Sequence, residues 1–187
     1  MPQDSKPEII MLDMKKIAKM NMWLTLGLSV GFFMVNGFIH QQFSVSISFW
    51  NILLFIASYI ILIALHEVFH LLGFMIFGKV KFNQLEYGVN LKLGIAYATT
   101  TQPLPNKAMK KSLLLPFWTT GVIPSIIGFT VQSNILLLLG AFLIAGAIGD
   151  FYMYKELRKF PNTSLVKDDP ELPRLYVYEE GVKVNND

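Results

Sequence analysis

From Asn21 to Gly78 the chain carries one formally charged side chain, Glu67, and from Ser112 to Gly149 it carries none. With 53% of its 187 residues hydrophobic, it is too apolar for an ordinary soluble domain. A bilayer core takes about 20 apolar residues per helix, so each of the two stretches is long enough for two spans. The first divides at His40-Gln41-Gln42 and the second near Gln132-Ser133-Asn134. The expected fold class is an all-α membrane protein with a small β insert. Its four transmembrane helices lie at about 22–39, 49–77, 113–131 and 135–154. Trp23 and Trp50 near span starts, and Tyr152 and Tyr154 near the last end, suit the interfacial belts of a bilayer.

The 16 Lys and Arg residues fall in three places, at 6–19, 79–111 and 155–183. The 40–48 loop and the 131–134 turn have none. With four spans these three places share one side, and the positive-inside rule makes that side the cytosol. The net charge of +3 therefore reads as topology, and no nucleic-acid motif accompanies it. The expectation is an integral protein of a bacterial cell membrane with both termini cytosolic. It has a cytosolic N-terminal segment over 1–21, a four-span domain over 22–159 and a cytosolic tail over 160–187. The N-terminal stretch mixes acids with lysines and lacks a small-residue cleavage site, so the first apolar segment is expected to stay as an anchor.

The segment at about 79–105 is the β insert, expected as a hairpin between the second and third helices on the cytosolic side. Val89, Leu91, Leu93, Ile95 and Tyr97 alternate with Asn90, Lys92, Gly94, Ala96 and Ala98, the period of a half-buried strand. Val80 to Tyr87 would pair with it across a turn at Gly88. One reading is a hairpin that caps the helices. The other is an edge strand that pairs with an extended peptide substrate through those five residues. Pro116 and Pro124, inside the third span, free backbone carbonyls there. In the tail, Leu175 to Val177 would form a short strand.

Against this background, residues 66–70 read HEVFH. Helical positions i and i+4 share a face one turn apart, so His66 and His70 can bind one cation together. Glu67 follows the first His, where a carboxylate can act as general base on a water at that cation. The chain has three His and no Cys, so a chance match is rare and any metal must be held by His and carboxylates. Two core histidines beside a neutralised Glu would be the bland explanation, but ionisable groups inside a span are costly and by default functional.

Catalytic zinc takes three protein ligands and leaves a position for water. The metzincin pattern fails, because Ile76 stands where it needs His. His40 lies at the outer end of the first span, whereas His70 is roughly 12 Å in from the cytosolic end of its own, at about 1.5 Å per residue. Asp150, in AIGDFYMY, is roughly 7 Å in from the same side by the same rise. It is the remaining intramembrane candidate, unless it serves as a helix-end acid paired with Lys155.

HEVFH in a membrane helix, with a later IGD in another, resembles the site-2 protease class of intramembrane zinc metalloproteases. The four-span layout, the β-rich insert after the HEVFH helix and a tail reading VKDDP (166–170) resemble more closely a small bacterial membrane family of zincin-type peptidases, a domain of unknown function. The resemblance covers most of the chain, best over about 45–160. It implies that His66, His70 and Asp150 are Zn2+ ligands and that Glu67 is the catalytic residue. The activity it implies is hydrolysis of a membrane-embedded or membrane-proximal protein or peptide, with the lipid bilayer as surroundings. The fuller site-2 pattern around the aspartate, with an upstream Asn and Pro, is incomplete, and no regulatory PDZ-like domain fits this sequence. The residue that steadies the oxyanion is not identifiable, although Thr119, Thr120 and Ser125 are candidates. The alternative is a non-catalytic zinc-binding membrane scaffold or regulatory protein with the same fold. A transporter using His and Glu as a proton relay is a further reading, disfavoured by the absence of an internal repeat.

Overall fold

The computed structural model describes residues 6–44, 48–90, 95–169 and 172–178. Helix α1 spans Met14–His40, α2 Phe49–Gly78, α3 Asn106–Pro116, α4 Ile123–Thr130, α5 Asn134–Gly146 and α6 Ile148–Leu157. A π-helical segment, Phe117–Val122, joins α3 to α4. Four helical stretches, Met14–His40, Phe49–Gly78, Asn106–Thr130 and Asn134–Leu157, are long and apolar enough to cross a membrane. They extend past the apolar windows because a helix continues into polar turns without cost. The first turns of α3 carry Lys107, Lys110 and Lys111.

By its internal contacts the chain divides into two units, and one division falls inside α2 after His66. The first unit holds residues 1–13, 67–115 and 149–187. Strand β1 (Glu8–Met11), β4 (Leu104–Pro105), β5 (Leu165–Asp168) and β6 (Arg174–Tyr178) form a four-stranded sheet in the order β1-β6-β5-β4. Every pairing in it is antiparallel, with Leu104 opposite Val166, Val166 opposite Val177 and Ile9 opposite Tyr176. Alternation puts Val166, Leu175 and Val177 on one face, where they pack with Ile10, Phe74, Met109, Leu113, Met153 and Leu157. This is a core made by both chain ends with the helix termini. The strand read at 175–177 is present and longer. Pairing the tail with the N-terminal strand adds β structure well beyond the single insert the sequence suggested.

The insert is a hairpin of β2 (Leu85–Asn90) and β3 (Ile95–Thr100). Its turn is not at Gly88. Gly88 lies inside β2 opposite Tyr97, and Asn90 pairs with Ile95. The single strand expected over Val89 to Tyr97 is therefore two strands. Val89 belongs to β2, Ile95 and Tyr97 belong to β3, and Leu91 and Leu93 lie outside the described residues. Gly88 is a glycine for a packing reason: a Cβ there would meet the Tyr97 hydroxyl at 2.7 Å and its ring carbons at 2.9 Å. A cross-strand aromatic covers an in-strand glycine, and in the bare sequence that looks like a turn. Period two runs through both arms, so it could not place the reversal.

The second unit holds residues 14–66 and 116–148. Small residues let its helices approach closely: a Cβ on Gly121 would meet Ile144 at 2.8 Å, and one on Gly128 would meet Leu137 at 3.0 Å. Polar side chains bond across it. Asn21 Nδ2 donates to Ala145 O at 3.2 Å, and Asn36 Nδ2 to Asn134 Oδ1 at 3.1 Å. Each satisfies a group that lipid could not.

Candidate metal centre

Helix α2 exposes most of its apolar surface, as a lipid-facing helix can. Its buried residues are His66, His70, Gly73 and Phe74. Residues 66, 70 and 74 are four apart and lie along one line of the helix. The helix thus buries one narrow stripe, and two of its members are the histidines of HEVFH. Gly73 lets α3 come close: a Cβ there would meet Ser112 Cα at 2.8 Å.

That approach brings the backbone of α3 to His70, whose Nδ1 lies 3.1 Å from Ser112 O. A carbonyl only accepts, so Nδ1 carries the proton and Nε2 is turned to the other side. There, Asp150 Oδ1 stands 3.5 Å from Nε2. Asp150 is in the first turn of α6, just past Ala147, where α5 ends. The ring of His66 is held in the same way through Nδ1, 3.2 Å from Thr120 Oγ1.

Among the described residues, one group has metal-ligand potential: His66, His70 and Asp150 each offer one ligand atom, all within 4.8 Å of one another. Two donors on one tetrahedral zinc, at about 2.0–2.2 Å from it, sit roughly 3.3–3.6 Å apart. The His70–Asp150 separation of 3.5 Å has that value. The donor set is two imidazoles and one carboxylate, and each imidazole has its Nδ1 engaged by the protein, the arrangement that orients metal-ligating histidines. The residues present fit a zinc ion.

The three residues singled out as ligands are therefore brought together. Glu67 sits beside them on α2, half-buried. His40 is elsewhere, with Nε2 donating to Phe129 O at 2.8 Å. The oxyanion candidates are less suited than their residue types suggested. Thr120 Oγ1 donates to Pro116 O at 2.8 Å, Thr119 Oγ1 to the same oxygen at 3.4 Å, and Ser125 Oγ to Gly121 O at 2.8 Å. Each hydroxyl proton is committed to a carbonyl of the preceding turn.

Sequence reasoning missed the acceptors Ser112 O and Thr120, and it missed Asp168. Asp168 closes β5, and its carboxylate stands near the buried Thr99 hydroxyl. Burial pushes its pKa up to about 7, with Thr99, the Asp169 N–H and His70 pulling the other way. The one signal that touched it was the VKDDP resemblance.

Residues 59–165, more than half of the chain, match a family described as "Putative zincin peptidase". The match takes in the HEVFH stripe and Asp150 and stops at the first residue of β5. No curated protein and no solved structure matches the chain. With four apolar helices able to span a membrane and a His66–His70–Asp150 group able to hold a metal, the chain belongs to the family described as "Putative zincin peptidase".

Proposed function

We propose that this protein is an intramembrane zinc metallopeptidase, with His66, His70 and Asp150 as ligands and Glu67 as the catalytic residue. The observation that carries the reading is the clustering of three ligand atoms within 4.8 Å on the one buried stripe of α2 and the first turn of α6. Family membership supports zinc and peptidase chemistry. When bound, zinc supplies a Lewis acid that polarises a carbonyl and acidifies water. Glu67 Oε takes the proton from the attacking water and passes it to the leaving amine. Ser112 O and Thr120 hold the two rings so that neither turns its Nε2 away.

The substrate is a membrane-embedded or membrane-proximal peptide segment. Peptide bonds in a helix are shielded, so the segment must be extended where it is cut. Among the described residues the β2–β3 hairpin is a two-stranded sheet, and the outer edge of β2 at Val89, or that of β3 at Ile95 and Tyr97, can hold an extended peptide by main-chain hydrogen bonds. The distribution of Lys and Arg supports cytosolic termini in a bacterial membrane, with water reaching the site from the cytosol.

Metal content tests the reading first. Purified protein should hold about one zinc per chain, and His66→Ala or Asp150→Ala should lose it. Unchanged occupancy in those variants would refute the ligand assignment. The scaffold alternative also binds zinc, and Glu67→Gln separates the two. A scaffold does not need that carboxylate, whereas a peptidase loses cleavage while keeping the metal.

A further inference from the structure

We infer that Thr120 is a positioning residue for His66, and that Pro116 sets up the acceptors of both histidines. This rests on the zinc reading above and adds to it how the third span orients the ligands.

His66 Nδ1 and Thr120 Oγ1 are 3.2 Å apart, and a hydroxyl can donate or accept. Here its proton is taken: Oγ1 donates to Pro116 O at 2.8 Å, and that carbonyl can only accept. Thr120 is 1% exposed, so no solvent competes. The chain of bonds therefore runs one way, from Nδ1–H to the hydroxyl oxygen and from the hydroxyl proton to Pro116 O. It fixes His66 as the Nδ1–H tautomer, with the ring's lone pair on Nε2.

Proline has no N–H, so the carbonyl four residues earlier loses its ordinary helical partner. That carbonyl is Ser112 O, the one that accepts from His70 Nδ1 at 3.1 Å. Immediately after Pro116 the helix widens into the π segment Phe117–Val122. There the amides reach back five residues, as Ile123 N–H does to Trp118 O. This register carries the Thr120 hydroxyl between Pro116 O and His66. Short π segments of this kind mark functional sites, and here the gain is specific: one proline serves the acceptors of two ligands.

The packing alternative makes the opposite forecast, so substitutions separate the two. Thr120→Val keeps the shape and removes the hydroxyl. Thr120→Ser keeps the hydroxyl and removes the methyl. In a chelator-competition titration, Thr120→Val should bind zinc about 10- to 100-fold more weakly, the usual cost of losing an outer-shell partner. Thr120→Ser should stay within about threefold of wild type, far less than that outer-shell loss. Wild-type affinity in Thr120→Val with weakened binding in Thr120→Ser would overturn the inference.

The second readout needs neither metal nor variant. The chain has three His, so nitrogen NMR of histidine-labelled, metal-free protein in micelles is readily assigned. His66 should appear as the Nδ1–H tautomer. His40, whose Nε2 donates to Phe129 O at 2.8 Å, should appear as the opposite one and serves as the internal reference. An Nε2–H tautomer at His66 would refute the inference. Should wild type bind no zinc at all, the zinc reading falls, and the tautomer alone then decides the inference.

Discussion

Gly73→Ala is a one-methyl change whose consequence can be worked from the packing. The added Cβ would stand 2.8 Å from Ser112 Cα, 2.9 Å from its Cβ and 3.0 Å from its Oγ. Carbon–carbon contacts are comfortable from about 3.5 Å, so α2 and α3 must part by roughly 0.7 Å at this crossing. The obstacle is backbone and cannot swing aside as a side-chain tip can. Ser112 is fully buried, and its Oγ is tied to Ala108 O at 3.0 Å. Overpacking of this kind costs about 1–3 kcal/mol, partly offset by the better helix propensity of Ala, worth about 1 kcal/mol. The same separation stretches the 3.1 Å bond from His70 Nδ1 to Ser112 O, so the ring loses its tether. The variant should show a lower apparent melting temperature in detergent and zinc affinity down by about tenfold or more, the low end of the outer-shell range. Gly27→Ala is the control, because a Cβ there meets nothing within 4 Å. It should leave zinc binding alone and stabilise slightly. Wild-type melting and affinity in Gly73→Ala would refute the claim that this crossing holds the metal ligand in place.

Other outcomes follow from the same contacts. Asn106, fully buried, sets Nδ2 at 2.9–3.0 Å from Leu157 O, Phe160 O and Pro161 O, its two N–H groups shared among the three carbonyls, and so caps the helix that carries Asp150. Asn106→Ala should lower stability by about 1–3 kcal/mol, the cost of stranding buried acceptors, measurable as a shift in thermal unfolding. Asp168, raised to about 7 from 3.8, holds its proton over a range where the unfolded chain has lost it. Its contribution to stability is complete below about pH 4 and falls as pH rises through 7. In chelator-treated protein, Asp168→Asn should therefore flatten the decline of melting temperature between pH 5 and 8. An equal decline in the variant would exclude Asp168 as its source.

The spans and the HEVFH pair were legible because each is a local signal. A charge-free apolar run long enough to cross a bilayer and a spacing of four on a helix need no knowledge of distant chain. Asp150 was reached through depth, since the topology expected from the sequence put it on the same side as His70, and the structure brings its carboxylate to 3.5 Å from that ring. What depended on distant partners was hidden. The pairing of Glu8–Met11 with Arg174–Tyr178 joins the two chain ends, and nothing local in either strand names the other. Gly88 reads as a turn until Tyr97 is laid over it. Thr120 looked like an oxyanion donor by residue type. Its hydroxyl proton is spent on Pro116 O, and its use to the site is as an acceptor. Pro116 was legible as a source of free carbonyls, but not which histidine they would serve.

The most direct test of the zinc peptidase reading is comparative membrane proteomics of cells carrying wild type against Glu67→Gln, with the zinc content of both proteins measured from the same preparations. The expected result is equal zinc and, in the variant, an uncut membrane peptide that wild-type cells do not accumulate. Equal zinc with identical peptides in both would contradict catalysis by Glu67 and leave a zinc-binding membrane scaffold in its place.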